Sequence, residues 1–259
     1  FSFALCIATM VFYLWFLIRR DRKVKILKVS SRAIALAYEP RLIPSTAGTL
    51  IRFSFSPLFE WHAFAVSGAI PADIRQNDQK KTQTSIIARA GDWTGDLIAR
   101  EHPKVTEEEG EIPAELESGS PLSRPMWIRF HTPPGFMFSA RGYKEVLFVA
   151  TGAGIAPSLS YLHASKNPLV QKRNVLWIGN RPQQTFGVFA DTVFAIPDLI
   201  VHDTSEKGRP VVDELCLETF KSFPDCQAVF VVSNQPVTRA IQQAMYFAGV
   251  PCYGAEWDS

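Results

Sequence analysis

Three patterns of hydrophobic and polar positions follow one another along the chain. Residues 1–18 form an uncharged, apolar run that ends at a predominantly basic cluster, Arg-Arg-Asp-Arg-Lys at residues 19–23. Short segments of alternating hydrophobicity, separated by proline and glycine, continue to about residue 140, and solid apolar runs that alternate with helical spacing fill the rest. These patterns predict a transmembrane helix, then an antiparallel β-barrel, then an α/β doubly wound domain with a five-stranded parallel sheet.

The apolar run at the start of the chain is long enough for a membrane span. Tyr13 and Trp15 suit the membrane interface, and the basic cluster follows directly. We therefore predict a transmembrane helix over residues 1–20 and an integral membrane protein whose remaining chain faces the cytosol. A signal peptide is disfavoured because the charges follow the apolar run, and a buried helix is the remaining alternative. The run contains no histidine, so it offers no imidazole ligand to a haem.

Short strand-like segments predict a small barrel over residues 21–140. β-branched and alternating residues recur in five segments, at residues 24–29, 33–38, 48–55, 61–67 and 84–90. A sixth segment, at residues 126–130, follows an acidic loop over residues 101–124. Regularly spaced short strands are typical of antiparallel barrels. We interpret the acidic loop as a solvated insertion in preference to a carboxylate metal site, because its composition cannot bury enough apolar surface to fold.

Two motifs in the barrel segment are candidates for ligand binding. In the first, His62 and Phe64 share one face of a strand, since side chains alternate along a strand. In the second, a glycine precedes a helix that Asp92 or Thr94 caps, with Trp93 between them. A helix start beside an aromatic strand suits a pyrophosphate next to a flat ring. Each motif alone also fits ordinary core packing and helix capping, and that alternative stays open.

Strands and helices alternate over residues 141–259, which predicts a second domain. Solid apolar runs predict strands at residues 146–150, 174–178, 199–202, 228–232 and 250–253. Helical spacing predicts helices at residues 156–165, 187–195, 211–221 and 237–248. Continuous apolar strands are typical of sheets that helices cover on both faces, so we expect the sheet to be parallel and doubly wound.

The glycine turn after the first of these strands is the main candidate site. Gly152 and Gly154 lack a Cβ, so the backbone can adopt positive φ there and approach a ligand closely. The N–H groups of the following helix would face an anion, and doubly wound domains bind nucleotides at this turn. A plain strand-to-helix turn is the alternative. Pro157 stands where the dehydrogenase fingerprint has a third glycine, which indicates a different family of sites.

Composition and charge bear on whether the chain binds nucleic acid or a metal. A net charge of +2 gives no argument for a nucleic-acid partner. The four cysteines lie at spacings that fit no zinc pattern, and few, unpaired cysteines suit a reducing compartment. The sequence therefore predicts neither a metal centre nor nucleic-acid binding.

The motifs taken together resemble the ferredoxin–NADP reductase superfamily. They are Glu-Trp-His-Ala-Phe-Ala at residues 60–65, Gly-Asp-Trp-Thr at residues 91–94 and Gly-Ala-Gly-Ile-Ala-Pro at residues 152–157. Within the superfamily, the chain resembles the NADPH oxidase and ferric reductase branch. The segments at residues 202–210 and 249–259 look most like fungal TmpA-type integral-membrane flavoproteins and the related reductase tails of adenylate-forming enzymes.

This resemblance implies an FAD site in the barrel and an NAD(P)H site in the second domain, with no certain catalytic residue. For FAD it implies contacts from His62, Phe64, Val66, Ser67, Trp93 and Thr94, with Phe64 and Ser67 nearest the flavin. For the dinucleotide it implies contacts from Gly152, Ala153, Gly154, Ile155, Pro157, Asn180, Arg181, Arg209, Asn234, Gln235 and Pro236. Trp257 would cover the flavin.

An arginine just after the second parallel strand bears on the choice between NADPH and NADH. Arg181 stands there, and Arg209 is a second candidate for the same role. Because a guanidinium pairs well with phosphate, the arginine favours a ribose 2′-phosphate and hence NADPH over NADH. An exposed loop arginine without a ligand is the alternative.

Departures from the family pattern bear on the chemistry. Ala65 replaces the hydroxyl residue that usually contacts the flavin, and Asn234 and Gln235 replace the Cys-Gly pair beside the nicotinamide. The resemblance implies a membrane-anchored oxidoreductase that passes electrons from NAD(P)H through FAD to a membrane or haem acceptor. Two alternatives stay open: a nucleotide-binding sensor or scaffold with weakened catalysis, and the reductase-like tail of a larger multidomain synthetase.

The partners implied by this resemblance are membrane lipid and haem-bearing transmembrane segments upstream. Because the chain begins at Phe1 instead of methionine, we expect it to be a fragment of a longer protein.

Overall fold

The strands of this protein form two sheets, one antiparallel and one parallel. The computed structural model describes residues 2–30, 32–39, 46–68, 83–89, 91–101, 122–129, 133–162, 170 and 172–255. Trp257 and most of the predicted acidic loop at residues 101–124 lie outside the described residues.

The first sheet is an antiparallel barrel. Its strands are β1 (Ile18–Ser30), β2 (Ala33–Tyr38), β3 (Leu50–Ser54), β4 (His62–Ala65), β5 (Gln83–Ala88) and β6 (Leu122–Arg129). They lie in the order β4-β3-β6-β1-β2-β5, with every neighbouring pair antiparallel. Just beyond β4, Ser67 N donates to Thr84 O at 2.8 Å and Thr84 N donates to Gly68 O at 3.1 Å. These bonds join the two end strands and confirm the predicted antiparallel architecture.

Alternating side chains divide the barrel between two cores. On β2, Ile34 and Leu36 face the barrel interior, whereas Ala33 and Ala35 pack into the core that also contains the second sheet. Helix α2 (Asp92–Glu101) adds apolar side chains to the barrel core. The barrel therefore has its own interior and presents a second apolar surface to the rest of the molecule.

The apolar N-terminal run does not form a membrane span. Helix α1 (Ser2–Leu17) ends where β1 begins, because Ile18 pairs with Arg129 of β6. Among the described residues, no helix is both long and apolar enough to cross a membrane. The predicted transmembrane helix over residues 1–20 and the predicted integral-membrane localisation are therefore wrong. The hydropathy of residues 1–18 could not reveal that Ile18, at the end of this run, pairs with Arg129 of the distant strand β6.

The second sheet is parallel, as predicted. Its strands are β7 (Glu145–Thr151), β8 (Lys172–Gly179), β9 (Leu199–Asp203), β10 (Ala228–Val232) and β11 (Cys252–Gly254), in the order β11-β10-β7-β8-β9. The helices are α3 (Ala156–Leu162), α4 (Pro182–Phe186), α5 (Val188–Phe194), α6 (Thr204–Lys207), α7 (Val212–Lys221) and α8 (Gln235–Phe247). Gly187, at φ 48°, separates α4 from α5; the helix predicted at residues 187–195 corresponds to α5, and α4 was not predicted.

Helices cover both faces of the parallel sheet, which explains its continuous apolar strands. On one face, Phe148 and Trp177 pack with α3, α5 and the barrel residues Ala33 and Ala35. On the other face, Leu147 and neighbouring strand residues pack with α7 and α8. The first of these cores spans both sheets, so the barrel and the parallel sheet share buried apolar surface.

Candidate functional site

The carboxyl edge of the parallel sheet contains a topological switch point. The chain continues from β7 towards β8 on one side, and from β10 towards β11 on the other. In open α/β sheets, such a divergence creates a crevice outside the carboxyl ends of the two central strands, where ligands bind. Thr151 at the end of β7 and Ser233 just after β10 meet there, with their hydroxyl oxygens 2.7 Å apart. The predicted glycine turn lies at this crevice.

The two glycines of this turn are needed for different structural reasons. Gly152 adopts φ +52°, and a Cβ added to it would meet no atom within 4 Å. A Cβ on Gly154 would lie 2.4 Å from the carbonyl oxygen of Val232. Gly154 therefore permits the turn to approach β10, and only Gly152 faces open space in the way that a ligand site requires.

The other predicted residues of the turn divide between core and surface. Ile155 is fully buried and Ala153 packs against the same core, so neither side chain is free for a ligand. Pro157 is half-buried, and its carbonyl accepts a hydrogen bond from the Ser160 hydroxyl at 2.9 Å. The turn can thus present its backbone, but not these side chains, to a dinucleotide.

The segment after β10 begins a helix beside the crevice. Asn234 accepts a hydrogen bond from Val237 N at 3.0 Å through its side chain and so caps the N-terminus of α8. Gln235 and Pro236 are exposed in the first turn of that helix. All three lie at the carboxyl edge of the sheet, but the Asn234 amide oxygen is already used by the helix cap.

A cavity of about 660 Å³ opens beyond the ends of β8 and β9. Arg181 and Lys207 both line it, and Gln183, Asp203, Ser205 and Glu206 complete much of its polar wall, so the lining carries two cations and two carboxylates. Sequence reasoning identified Arg181 but missed Lys207, which lies in the four-residue helix α6 directly after β9. Asn180 precedes the cavity, and Arg209 is exposed but does not line it.

Arg181 and Asp203 are held in fixed positions at this cavity. Arg181 adopts a left-handed backbone conformation, with φ 44°, and its N–H donates to Asp203 Oδ1 at 3.0 Å. The same oxygen accepts from Ser205 N at 2.8 Å and from the Ser205 hydroxyl at 2.7 Å. Burial opposes ionisation of Asp203, but these hydrogen bonds and the Arg181 charge outweigh it and hold its pKa below the ordinary value. Asp203 therefore carries its charge at neutral pH.

The aromatic strand and the start of α2 come together at the barrel, as the shared face of His62 and Phe64 predicted. Trp93 stacks on His62 at 4.1 Å between ring centroids and on Phe64 at 5.8 Å, with interplanar angles of 21° and 29°. His62 Nε2 also lies 3.2 Å from Glu60 Oε2. One face of Phe64 is therefore directed towards another aromatic ring of the protein.

The start of α2 borders a second cavity, of about 480 Å³. The Thr94 hydroxyl accepts a hydrogen bond from Gly91 N at 2.9 Å, which satisfies an amide that precedes the helix. The cavity is lined by Arg89 but also by Asp92 and Asp96. A pyrophosphate at this helix N-terminus would meet one cation and two carboxylates.

The residues after β4 are used by the barrel itself. Val66 N donates to Thr49 O at 3.0 Å and Ser67 N donates to Thr84 O at 2.8 Å, and both side chains are buried. The Ser67 hydroxyl accepts from Ile86 N at 3.4 Å. The N–H groups of Val66 and Ser67 are therefore engaged within the barrel, and the contacts of these two residues with a flavin stay a prediction.

Comparison with known proteins identifies relatives for this arrangement. Residues 136–259 match the family described as adenylate-forming reductase 03009, C-terminal domain. Adenylate-forming reductase 03009 of Coprinopsis cinerea is 31% identical over 252 residues, which are 96% of this chain and 21% of the relative. Adenylate-forming reductase 06235 of the same organism is 30% identical over 248 residues, which are 95% of this chain and 21% of that relative. The chain thus spans about a fifth of the length of these curated relatives.

Solved structures with the same architecture are more distant in sequence. A ferredoxin NADP+ reductase from Neisseria gonorrhoeae, with bound FAD and NADP, has a TM-score of 0.64 at 14% identity over 92% of this chain and 98% of its own. The fold is that of the ferredoxin–NADP reductases. Phthalate dioxygenase reductase has a TM-score of 0.59 at 13% identity over 91% of this chain and 67% of its own.

The predicted ferredoxin–NADP reductase fold is therefore confirmed. The narrower resemblance to the NADPH oxidase and TmpA-type branch is not shown by these comparisons. A haem-bearing partner upstream and the absence of nucleic-acid binding stay predictions.

Proposed function

We propose that this chain is an FAD- and NAD(P)H-dependent reductase module of a larger adenylate-forming enzyme. The observation that carries the proposal is the crevice at the switch point of the parallel sheet, where the Gly152 turn and Ser233 meet. The relatives support the larger context, since both are named adenylate-forming reductases and this chain matches about a fifth of each.

The carboxyl edge of the parallel sheet fits a phosphorylated dinucleotide. The open face of Gly152 would receive the pyrophosphate, because its backbone can be approached without a Cβ. Arg181 and Lys207 would hold a 2′-phosphate in the 660 Å³ cavity, which favours NADPH over NADH. Asp203 Oδ1 accepts one hydrogen bond from Arg181 N and two from Ser205, so the Arg181 backbone is held in place before the ligand arrives.

The end of the barrel provides part of an FAD site. His62, Phe64 and Trp93 offer stacked aromatic rings, and the start of α2 offers N–H groups and the positive end of a helix dipole. Bound FAD would accept a hydride from the nicotinamide and release its electrons singly. The chain itself would orient the two cofactors and exclude water, because no side chain here is required as an acid or base.

An anaerobic titration of the chain with NADPH tests this proposal. After reconstitution with FAD, we expect NADPH to bleach the flavin absorbance. Replacement Arg181→Ala should weaken NADPH binding about tenfold or more, since a lost charge-assisted hydrogen bond costs about 1.5–3 kcal/mol, and should leave NADH binding almost unchanged. Arg100→Ala, at an exposed position near the end of α2, is the matched control. Equal losses for NADPH and NADH would contradict the assignment of the 2′-phosphate to Arg181.

A separate experiment tests whether this chain is part of a larger adenylate-forming enzyme. An antibody raised against this chain should detect a natural protein several times heavier than 29.0 kDa. Detection of a 29 kDa species alone would remove the adenylate-forming part of the proposal while leaving the reductase part to the titration.

A second candidate function is nucleotide binding without hydride transfer. It is favoured by the engaged N–H groups of Val66 and Ser67 and by Ala65, which has no hydroxyl to offer the flavin. The same titration separates the two functions. If FAD and NADPH bind but the flavin spectrum shifts without bleaching, the chain is a nucleotide-binding module and the reductase proposal fails.

A further inference from the structure

The joint between the barrel and the parallel-sheet half contains a compact cluster that the proposed cofactor sites do not use. A turn at residues 46–49, just before β3, lies against the 3-10 helix Phe136–Gly142 and against α3. Gly48 N is 3.3 Å from the Ser160 hydroxyl oxygen, and Gly135 N donates to Gly48 O at 2.9 Å. The bond from Gly48 N to the Ser160 hydroxyl therefore crosses directly between the two halves.

Gly48 is required at this crossing for two separate reasons. Its φ is +79°, a conformation that L side chains rarely adopt. A Cβ at this position would lie 2.6 Å from Phe138 N and 2.7 Å from the Tyr161 hydroxyl oxygen. Any other residue would have to push the two halves of the molecule apart.

Arg141 connects the remaining parts of the cluster. Its guanidinium lies over the Phe138 ring at 4.3 Å, and its Nη2 donates to Ala47 O at 3.3 Å. The Tyr161 hydroxyl donates to Met137 O at 2.9 Å; burial raises the pKa of Tyr161, and the nearby Arg141 charge opposes that rise. The Arg141 side chain thus joins the barrel turn to the 3-10 helix and lies close enough to Tyr161 of α3 to affect its ionisation.

This cluster lies beside both proposed cofactor sites. Just beyond β4, Gly68 approaches α3 so closely that a Cβ on it would be 3.8 Å from Ser160 Cα. α3 follows the Gly152–Ile155 turn without a break. A movement at the joint would therefore shift the end of the aromatic strand relative to the dinucleotide turn.

From these contacts we infer that Gly48, Phe138, Arg141 and Tyr161 form an interdomain latch that positions the two cofactors for hydride transfer. The inference rests on the proposed function for its role in transfer, but the latch itself rests only on the contacts. Hydride transfer needs the reacting atoms about 3–3.5 Å apart, and a misplacement of about 1 Å can slow a reaction about a hundredfold. These are positioning residues, since the latch itself takes no part in the chemical step.

The first measurement requires no cofactor activity. In the full chain, Arg141→Ala should increase amide hydrogen exchange at Gly48 and at residues 136–142 about tenfold or more, whereas Arg100→Ala should leave it unchanged. Arg141→Lys keeps the charge but cannot form the planar contacts of a guanidinium, so it should give an intermediate increase. Wild-type exchange in Arg141→Ala would overturn the latch. If that variant does not fold, Tyr161→Phe, which keeps the ring and removes the hydroxyl, provides the same test.

The second measurement connects the latch to the reaction. Affinities of Arg141→Ala for FAD and NADPH, each measured alone, should equal those of the wild type. The rate of flavin reduction in a single turnover should fall about tenfold to a hundredfold, with partial rescue by Arg141→Lys. Increased exchange together with an unchanged reduction rate would overturn the positioning role. Absence of flavin reduction in the wild-type chain would instead refute the proposed function, and the exchange experiment would still decide whether the latch exists.

Discussion

The substitution Gly154→Ala tests whether the glycine turn is set by packing against β10. An added Cβ would lie 2.4 Å from Val232 O and 3.2 Å from both Val232 C and Val232 Cγ1. Val232 is the last residue of β10 and pairs with Ala150 of β7. Its carbonyl cannot rotate away in the manner of a flexible side chain, so the turn or the strand end must move.

The size of the effect follows from the size of this overlap. A normal contact between these atoms is about 3.5 Å, so the backbone must separate by about 1 Å. Overpacking of this kind costs typically 1–3 kcal/mol, and we expect a value near 2 kcal/mol for Gly154→Ala. Gly152→Ala meets no atom but keeps a left-handed φ, which costs about 1–2 kcal/mol, and the stiffer unfolded chain offsets part of this. Its net effect should be about 1 kcal/mol or less.

Thermal melting followed by tryptophan fluorescence measures this difference. Trp177 reports on the turn, since its Nε1 donates to Gly152 O at 2.8 Å. For a chain of this size, about 2 kcal/mol corresponds to a fall in Tm of about 4–8 °C for Gly154→Ala. Truncation by Val232→Ala should not rescue that variant, because the closest clash is with a backbone oxygen. A Gly154→Ala protein that melts with the wild type, or one that Val232→Ala restores, would refute the packing argument.

Three further predictions concern individual groups. A hydrogen bond with Tyr253, assisted by burial, raises the pKa of Tyr143 to about 12. Because the unfolded chain releases this proton near pH 10, the stability that the bond contributes should be full below pH 10 and fall between pH 10 and 12. Thermal melts across that range should lose this pH dependence in Tyr143→Phe. Alkylation of the native protein at pH 8 should modify the exposed Cys6 quickly and Cys216 only after denaturation, because Cys216 is buried and burial raises the pKa of its thiol. Fast labelling of Cys216 in the native protein would contradict its buried position. Asn234→Ala should lower stability by about 1 kcal/mol in urea unfolding and Asn234→Ser by much less, since serine also caps helices, and equal losses would argue against the cap.

Most of the fold could be predicted from the sequence because its strands carry strong local signals. The run around Phe148 is apolar at every position, as expected of a strand that is covered on both faces, and it forms β7. A different local signal identified β2: side chains alternate along residues 33–38, and the two faces of this strand pack into different cores. The N-terminal run was misinterpreted because its end is decided by pairing with β6, and pairing between distant segments leaves no local pattern.

The candidate site was predictable only where a residue type is required by local geometry. A glycine after a buried strand marks the turn at Gly152, where φ is positive. Lys207 was missed because a lysine in a polar segment resembles any exposed lysine until the end of β9 is known. The engagement of Val66 N and Ser67 N could not be predicted either, because it depends on which strands close the barrel.

The two proposed cofactor regions differ in how many of their polar groups the protein already uses. At the parallel sheet, Asp203 Oδ1 accepts hydrogen bonds from Ser205 and from the Arg181 backbone, and the Arg181 and Lys207 side chains line the cavity together with Asp203 and Glu206. At the barrel, the N–H groups after β4 hold the barrel together, and Trp93 occupies one face of Phe64. Phosphate binding at this cavity would therefore break none of the hydrogen bonds described there, whereas a flavin that stacked on that face of Phe64 would have to displace Trp93. This asymmetry explains why NADPH binding and flavin reduction have to be measured separately, because the first can succeed where the second fails.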